Sequence, residues 1–291
     1  MARTFSSRFR VRYDELDSFG HLNNAVCARY MQEAAIQASA EAGHSLRWHD
    51  ERNRAWVIRR LQIRYHLQVL YGEELQVTTW ISECEESSCS REYEVIRARD
   101  GARVARGRAQ WIYLDSMSGR PARLPEEFKN VFAPTGEADD LGIRAYNSRR
   151  INTSYRYRSA RRVHGYELDP LRRVHHAVYL NWIEQAYYDA IRSAGHPLEE
   201  LRAGDWMIFQ GGHDIEYLQP ARDNNNIEIV SWICEMGKVR GAWTHEVYDA
   251  RNNSLLARDY SLGVFVNSVG KPTAASRTLI EDILRGPEVS S

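Results

Sequence analysis

The sequence predicts an α+β protein built from one domain repeated in tandem, each copy a long central helix wrapped by an antiparallel β-sheet. Three observations carry this. First, the 291-residue chain overlays itself at a constant offset of 152 residues. Asp17 falls on Asp169, Ala25-Val26 on Ala177-Val178, Ala42-Gly43-His44 on Ala194-Gly195-His196, and Trp80-Ile81 on Trp232-Ile233. Ile63 and Tyr65 meet Ile215 and Tyr217, Glu94-Val95 meets Glu246-Val247, and Ala105-Arg106 meets Ala257-Arg258. A gapless match of this length is the mark of a duplication. Second, residues 24–42 place Val26, Tyr30, Met31, Ala34, Ala35 and Ala38 close to helical spacing, with Gly43 at the C-terminal stop. Third, the residues that follow are rich in Val, Ile, Thr, Tyr and Trp and much of their length alternates, which is strand chemistry.

Taken in order, residues 9–13 and 153–157 read as a short leading strand in each copy, followed by a loop that holds the shared Asp. The helix of the first copy covers 24–42 and that of the second 176–194, with Gly195 behind it. Strands are then expected at 56–58, 61–65, 75–81 and 90–97. Asp100-Gly101 is a favoured hairpin turn into a strand over 103–114. Residues 134–152 open with Pro134-Thr135-Gly136, turn acidic at Glu137, Asp139 and Asp140, and end at Arg149-Arg150, a connector composition. The expected domains are therefore 1–133 and 153–291, joined by a linker over 134–152.

Lys+Arg and Asp+Glu both number 39, so the formal charge is zero. A neutral chain argues against a nucleic-acid binder, which normally carries a basic excess. Arg supplies nearly all the basic charge, Lys occurring only at Lys129, Lys238 and Lys271. No apolar run approaches the ~20 residues of a membrane-spanning helix, and the polar start has no signal-peptide character. Cys27, Cys84, Cys89 and Cys234 show no metal-ligand spacing and form no disulfide framework. The expectation is a reduced, cytoplasmic protein without metal or cofactor.

The loop ahead of the first helix concentrates the reactive groups. A helix N-terminus presents unpaired N–H groups and a partial positive charge, which suits an oxyanion. Asn23 or Asn24 is a natural cap, and Gly20 permits a tight loop. Asp17 could aim a carboxylate at a carbonyl or a water held on that helix end, with His21 as a polar neighbour. The same residues also serve plain structural ends: Asp before a helix as a turn residue, His21 as a loop hydrogen-bonding group, and Asn23-Asn24 as a cap.

The string Asp17-Ser18-Phe19-Gly20-His21-Leu22-Asn23-Asn24 closely resembles the signature of hotdog-fold acyl thioesterases of the 4-hydroxybenzoyl-CoA thioesterase type. Tyr71-Gly72-Glu73-Glu74-Leu75 and the run Leu114-Asp115-Ser116-Met117-Ser118-Gly119-Arg120-Pro121 agree with it, and the resemblance covers most of residues 5–133. In the second copy, Asp169, His176, Ala177, Tyr179 and Leu180 resemble the loop and helix start of short acyl-CoA thioesterases associated with the Tol-Pal system. Val178 replaces that family's Asn, and Leu171 and Arg172 replace its glycines. Two tandem units are similar to the acyl-ACP thioesterases of plants and bacteria; His21 matches their His, while Phe19 stands where they carry an Asn.

The resemblance implies two hotdog domains that hydrolyse an acyl-CoA or acyl-ACP thioester to free acid and thiol. It implies Asp17, His21, Asn24, Asp169 and His176 as catalytic candidates, and Gly20, Asn23, Arg172 and Arg173 as substrate-binding candidates. Arg172 and Arg173 suit a CoA phosphate. Two other readings are a hydratase or dehydratase using His176 with Asp169 or Glu184, and a non-catalytic acyl-binding module. The resemblance further implies that the domains pack as a pseudo-dimer with sheets edge to edge, and a further homodimer of the two-domain chain is expected.

Overall fold

The apolar periodicities fold as two repeats of a helix laid on an antiparallel sheet. The computed structural model describes residues 4–136, 138, 140–143, 149–150, 155–204, 207–267 and 270–287. The chain divides into two units at Gly142/Ile143, inside the connector expected over 134–152. In the first unit β1 (Phe5–Arg10) leads through a 3₁₀ turn (Tyr13–Glu15) to α1 (Asn24–Glu41) and α2 (Leu46–Asp50). Then come β2 (Arg54–Tyr65), β3 (Glu74–Cys84), β4 (Ser88–Arg97), β5 (Arg103–Asp115) and α3 (Glu126–Val131). The sheet order is β1-β3-β4-β5-β2, every pair antiparallel.

The second unit contains β6 (Arg149–Arg150), β7 (Tyr157–Arg162), a 3₁₀ turn (Gly165–Glu167), α4 (His176–Ser193) and α5 (Leu198–Ala203). It closes with β8 (Met207–Tyr217), β9 (Asn226–Met236), β10 (Arg240–Asp249), β11 (Ser254–Val266) and α6 (Arg277–Arg285). Its order, β7-β9-β10-β11-β8, repeats that of the first unit, with β6 also paired to β9. The 152-residue offset carries β1 onto β7, α1 onto α4, β3 onto β9 and β4 onto β10.

Side-chain size sets how each helix lies on its sheet. α1 buries Ala25, Ala28, Ala34, Ala35 and Ala38 around Met31, so its backbone can approach closely. On β5, a Cβ added to Gly107 would stand 2.8 Å from the Met31 Sδ and 3.3 Å from the Gln62 carbonyl oxygen. Gly107→Val is therefore expected to lower the unfolding free energy by about 1–3 kcal/mol through overpacking. Urea unfolding measures this, and unchanged stability would mean that Met31 moves aside at no cost. α4 fills its space with bulkier groups, burying Trp182 and Ile183 where α1 buries Tyr30 and Met31.

Several expectations are corrected. The leading strands lie at 5–10 and 157–162, not 9–13 and 153–157; residues 153 and 154 fall outside the described set. Pairing decides the limits: β1 runs from Phe5↔Thr79 to Arg10↔Glu74, after which the chain turns and leaves Tyr13 80% exposed. The two short strands expected at 56–58 and 61–65 are one strand, β2, with an irregularity between Ile58 and Arg60. Cys84 and Cys89 form a disulfide. They are cross-strand register partners at the β3–β4 hairpin end, a proximity that sequence spacing does not reveal. Cys27 and Cys234 take part in no disulfide among the described residues.

Candidate active site

Asp17 organises the first loop through its own backbone neighbours. Its Oδ1 accepts the N–H groups of Phe19 (2.8 Å) and His21 (3.0 Å). Its N–H donates to the His21 carbonyl at 2.7 Å, and Gly20 N–H donates to the Asp17 carbonyl at 3.0 Å. Gly20 takes φ 80°, a left-handed conformation that costs a side-chain-bearing residue about 1–2 kcal/mol. Leu22 N–H donates to the Val69 carbonyl, which fastens the loop to the segment before β3. The carboxylate is half-buried, and among the described residues no group bonds to its Oδ2.

Asn23, rather than Asn24, is the helix cap. Its side-chain oxygen accepts Ala25 N–H at 2.9 Å and its carbonyl accepts Val26 N–H at 3.0 Å. Asn24 is the first residue of α1, and its carbonyl accepts the Tyr65 hydroxyl at 3.0 Å. The N–H groups of Ala25 and Val26 are thus engaged by the cap, and the positive end of the helix dipole is what the loop offers an incoming oxygen. Asp17, Gly20, His21 and Asn23 share one closed loop, with Asn24 directly behind it.

The second loop has the same backbone path and an added ion pair. Asp169 Oδ1 accepts Leu171 N–H (2.9 Å) and Arg173 N–H (3.3 Å). Arg173 Nε then donates to Asp169 Oδ2 at 3.0 Å, so both carboxylate oxygens are occupied. Arg172 stands at the Gly20 position with φ 57°, keeping the left-handed turn despite its β-carbon. His175 caps α4, its Nδ1 accepting Ala177 N–H at 3.2 Å. His176 opens the helix, and its carbonyl accepts the Tyr217 hydroxyl at 3.0 Å.

Sequence reasoning missed the carboxylate beneath each loop. Glu15 accepts Arg12 N–H (2.8 Å), the Arg12 guanidinium (2.8 Å) and the Tyr30 hydroxyl (2.5 Å). Its own carbonyl accepts Asn23 N–H at 2.9 Å, which ties the turn to the helix cap. Burial alone would raise the Glu15 carboxyl, but the hydrogen bonds from Arg12 and Tyr30 outweigh it and hold the pKa below the ordinary glutamate range. In the second unit Glu167 accepts Arg161 (2.6 Å), Trp182 Nε1 (2.9 Å) and His164 N–H (2.9 Å). The packing changes in step: Phe9 stacks on Tyr30 at 4.5 Å, and at the matching positions the Arg161 guanidinium lies 4.5 Å from the Trp182 ring centre. The only clue in the sequence is that Glu15 and Glu167 recur at the 152-residue offset.

The rims differ as well. Tyr13, Leu70 and Tyr71 are exposed beside the first loop, with Tyr13 set edge-on to Tyr71, whereas the second loop has Gly165, Arg222 and Asp223 at these positions. Among the described residues, no cluster of three or more His, Cys, Asp or Glu could hold a metal, and no helix is long and apolar enough to cross a membrane.

Comparison with known proteins agrees with this architecture. Residues 11–132 match the thioesterase-like superfamily and residues 172–255 the thioesterase superfamily. The chain is 23% identical over 190 residues to the palmitoyl-acyl carrier protein thioesterase of Arabidopsis thaliana, covering 62% of this chain and 46% of that protein. It spans less than half the length of the curated relatives it matches. An oleoyl thioesterase structure from Lactobacillus plantarum shares the fold with a TM-score of 0.75 and 15% identity, over 94% of this chain and 98% of that one. The 12:0-ACP thioesterase of Umbellularia californica does so with a TM-score of 0.71 and 15% identity, over 90% and 94%. With both halves matched, this chain belongs to the thioesterase superfamily and consists of two hotdog domains in tandem.

Proposed function

We propose that the chain hydrolyses an acyl-CoA or acyl-ACP thioester at the loop of its first domain. The observation that carries this reading is the contrast between the two aspartates: among the described residues Asp17 is held through one oxygen, whereas both oxygens of Asp169 are engaged, one of them by Arg173. The thioester carbonyl oxygen lies toward the α1 N-terminus, where the helix dipole favours the developing negative charge. Asp17 Oδ2 either takes a proton from a water whose oxygen attacks the carbonyl carbon, or attacks that carbon itself to give an anhydride that water then opens. In both courses the C–S bond breaks, and the sulfur leaves as thiolate and takes up a proton. His21 and Asn24 orient the water or the leaving thiol. Gly20 and Asn23 shape the approach, and the exposed Tyr13, Leu70 and Tyr71 provide an apolar rim.

The second loop plays the lesser part. Arg173 neutralises Asp169, His176 opens a helix capped by its neighbour, and the exposed Arg172 is left to meet a phosphate of the substrate. A cytoplasmic setting fits these substrates. Association into a homodimer is checked by light scattering of the eluting protein, which should report twice the chain mass. The central test is thiol release from a panel of acyl-CoA and acyl-ACP thioesters. Release that Asp169→Asn lowers by less than about ten-fold supports the reading; no release from any thioester rejects it.

A further inference from the structure

We infer that the second domain carries a separate binding site, between β7 and α4, for a small aliphatic ligand ending in a hydroxyl group. It stands apart from the thioester reading. On β9, β10 and β11, Ser231 lies opposite His245 and His245 opposite Asp259, while Ser261 faces His213 across β11 and β8. Ser231 Oγ is 2.8 Å from His245 Nδ1, and His245 Nε2 is 3.0 Å from Ser261 Oγ. His213 Nδ1 is 2.9 Å from Asp259 Oδ2. All five side chains belong to residues no more than 2% exposed, and among the described residues Asp259 Oδ1 has no hydrogen-bond partner.

The first domain is an internal control. At the matching positions it carries Thr79, Tyr93, Gly107, Ala109 and Leu61, so the fold forms without a carboxylate or an imidazole there. Burying such groups costs desolvation free energy that their mutual hydrogen bonds only partly offset. A polar row that the fold does not require, placed at the foot of an opening, points to binding.

The opening is a cleft of about 350 Å³ with Ser231 in its floor, Ser159 on the β7 side, and Ala186, Asp189, Ala190 and Ser193 on the α4 side. In the first domain the corresponding groove is bridged by Ser7 Oγ donating to Gln37 Oε1 at 2.6 Å. Its counterparts are Ser159 and Asp189, and Asp189 Oδ1 instead accepts Gln185 (2.8 Å) and Arg192 (3.0 Å). The groove is thus bridged in one domain and open in the other.

The lining sets the ligand class. Ala186 and Ala190 give small apolar walls that suit a methylene chain. Ser231 can donate or accept, because His245 sits between two hydroxyls and can carry its proton on either ring nitrogen. Burial keeps that imidazole neutral, its pKa pushed down to about 4. A terminal hydroxyl, itself donor and acceptor, satisfies both arrangements. Asp189 at the rim disfavours a carboxylate, and Arg158, the one cation among the described lining residues, is paired with Glu228 at 2.7 Å.

The test is calorimetric titration of the full chain at pH 7 with 1-hexanol, hexylamine and hexanoate, alongside NMR of the histidine ring nitrogens. The expected result is saturable hexanol binding, at least about ten-fold tighter than either charged analogue, with the His245 nitrogens shifted. Ser231→Ala should weaken it about ten-fold. Ser193→Phe, at the exposed mouth, should block it while leaving the thermal midpoint and any thiol release unchanged. Absence of saturable binding, tighter binding of the amine or the acid, or hexanol binding that survives both substitutions would each overturn the proposal.

Discussion

Asp17→Asn is expected to lower kcat for thioester hydrolysis about 100-fold or more, the scale of a lost general base, with no change in thermal midpoint. The geometry makes this substitution informative. Asparagine keeps a side-chain oxygen in place of Oδ1, so the N–H groups of Phe19 and His21 retain their acceptor and the loop keeps its path. Only the charge and the basic Oδ2 are lost. Asp17→Ala removes the acceptor too and should cost about 1 kcal/mol of loop stability in addition. If Asp17→Asn holds kcat within a few-fold of the parent while Asp17→Ala loses it, Asp17 is a brace for the loop and the catalytic group lies elsewhere.

Glu15→Ala is expected to lower the stability of the first domain by about 1–3 kcal/mol, since it leaves the buried Tyr30 hydroxyl and the Arg12 N–H without their acceptor. It should also depress kcat, because the turn that carries Glu15 holds the Asn23 cap. The pH dependence identifies the cause. The carboxyl of Glu15 is held below its unfolded value, so its contribution is complete above the ordinary glutamate range. That contribution is lost as pH falls through the lower folded value. Urea midpoints of parent and variant should therefore differ most at pH 7, and the gap should narrow as the solution is acidified below the ordinary glutamate range. A gap that stays constant down to the pH at which the parent itself unfolds would assign the loss to packing instead of to the carboxylate.

Much of the architecture is legible in the residues because it is local or repeated. The 152-residue offset is a property of the string, and it reappears in α1 and α4 and in β3 and β9. The helix over 24–42 follows from apolar spacing within a few turns, and β5 and its Asp100-Gly101 turn from alternation and turn chemistry. The loop of Asp17, Gly20, His21 and Asn23 was equally accessible, since its members lie within seven residues of one another.

Other features depend on partners far away in the chain. The limits of β1 come from β3, about seventy residues on, and the Cys84–Cys89 bond from hairpin register. The roles of Glu15 and Glu167 come from a helix turn that brings Tyr30 and Trp182 over them. That Arg173 would close on Asp169, rather than reach outward, is a matter of side-chain direction in a turn whose left-handed residue is arginine. The row Ser231, His245, Asp259 is invisible in the string because its members sit on three strands and meet only through pairing register. Periodicity specifies which face of an element is buried; register and side-chain direction specify what that face meets, and those arise only when the strands and helices have come together.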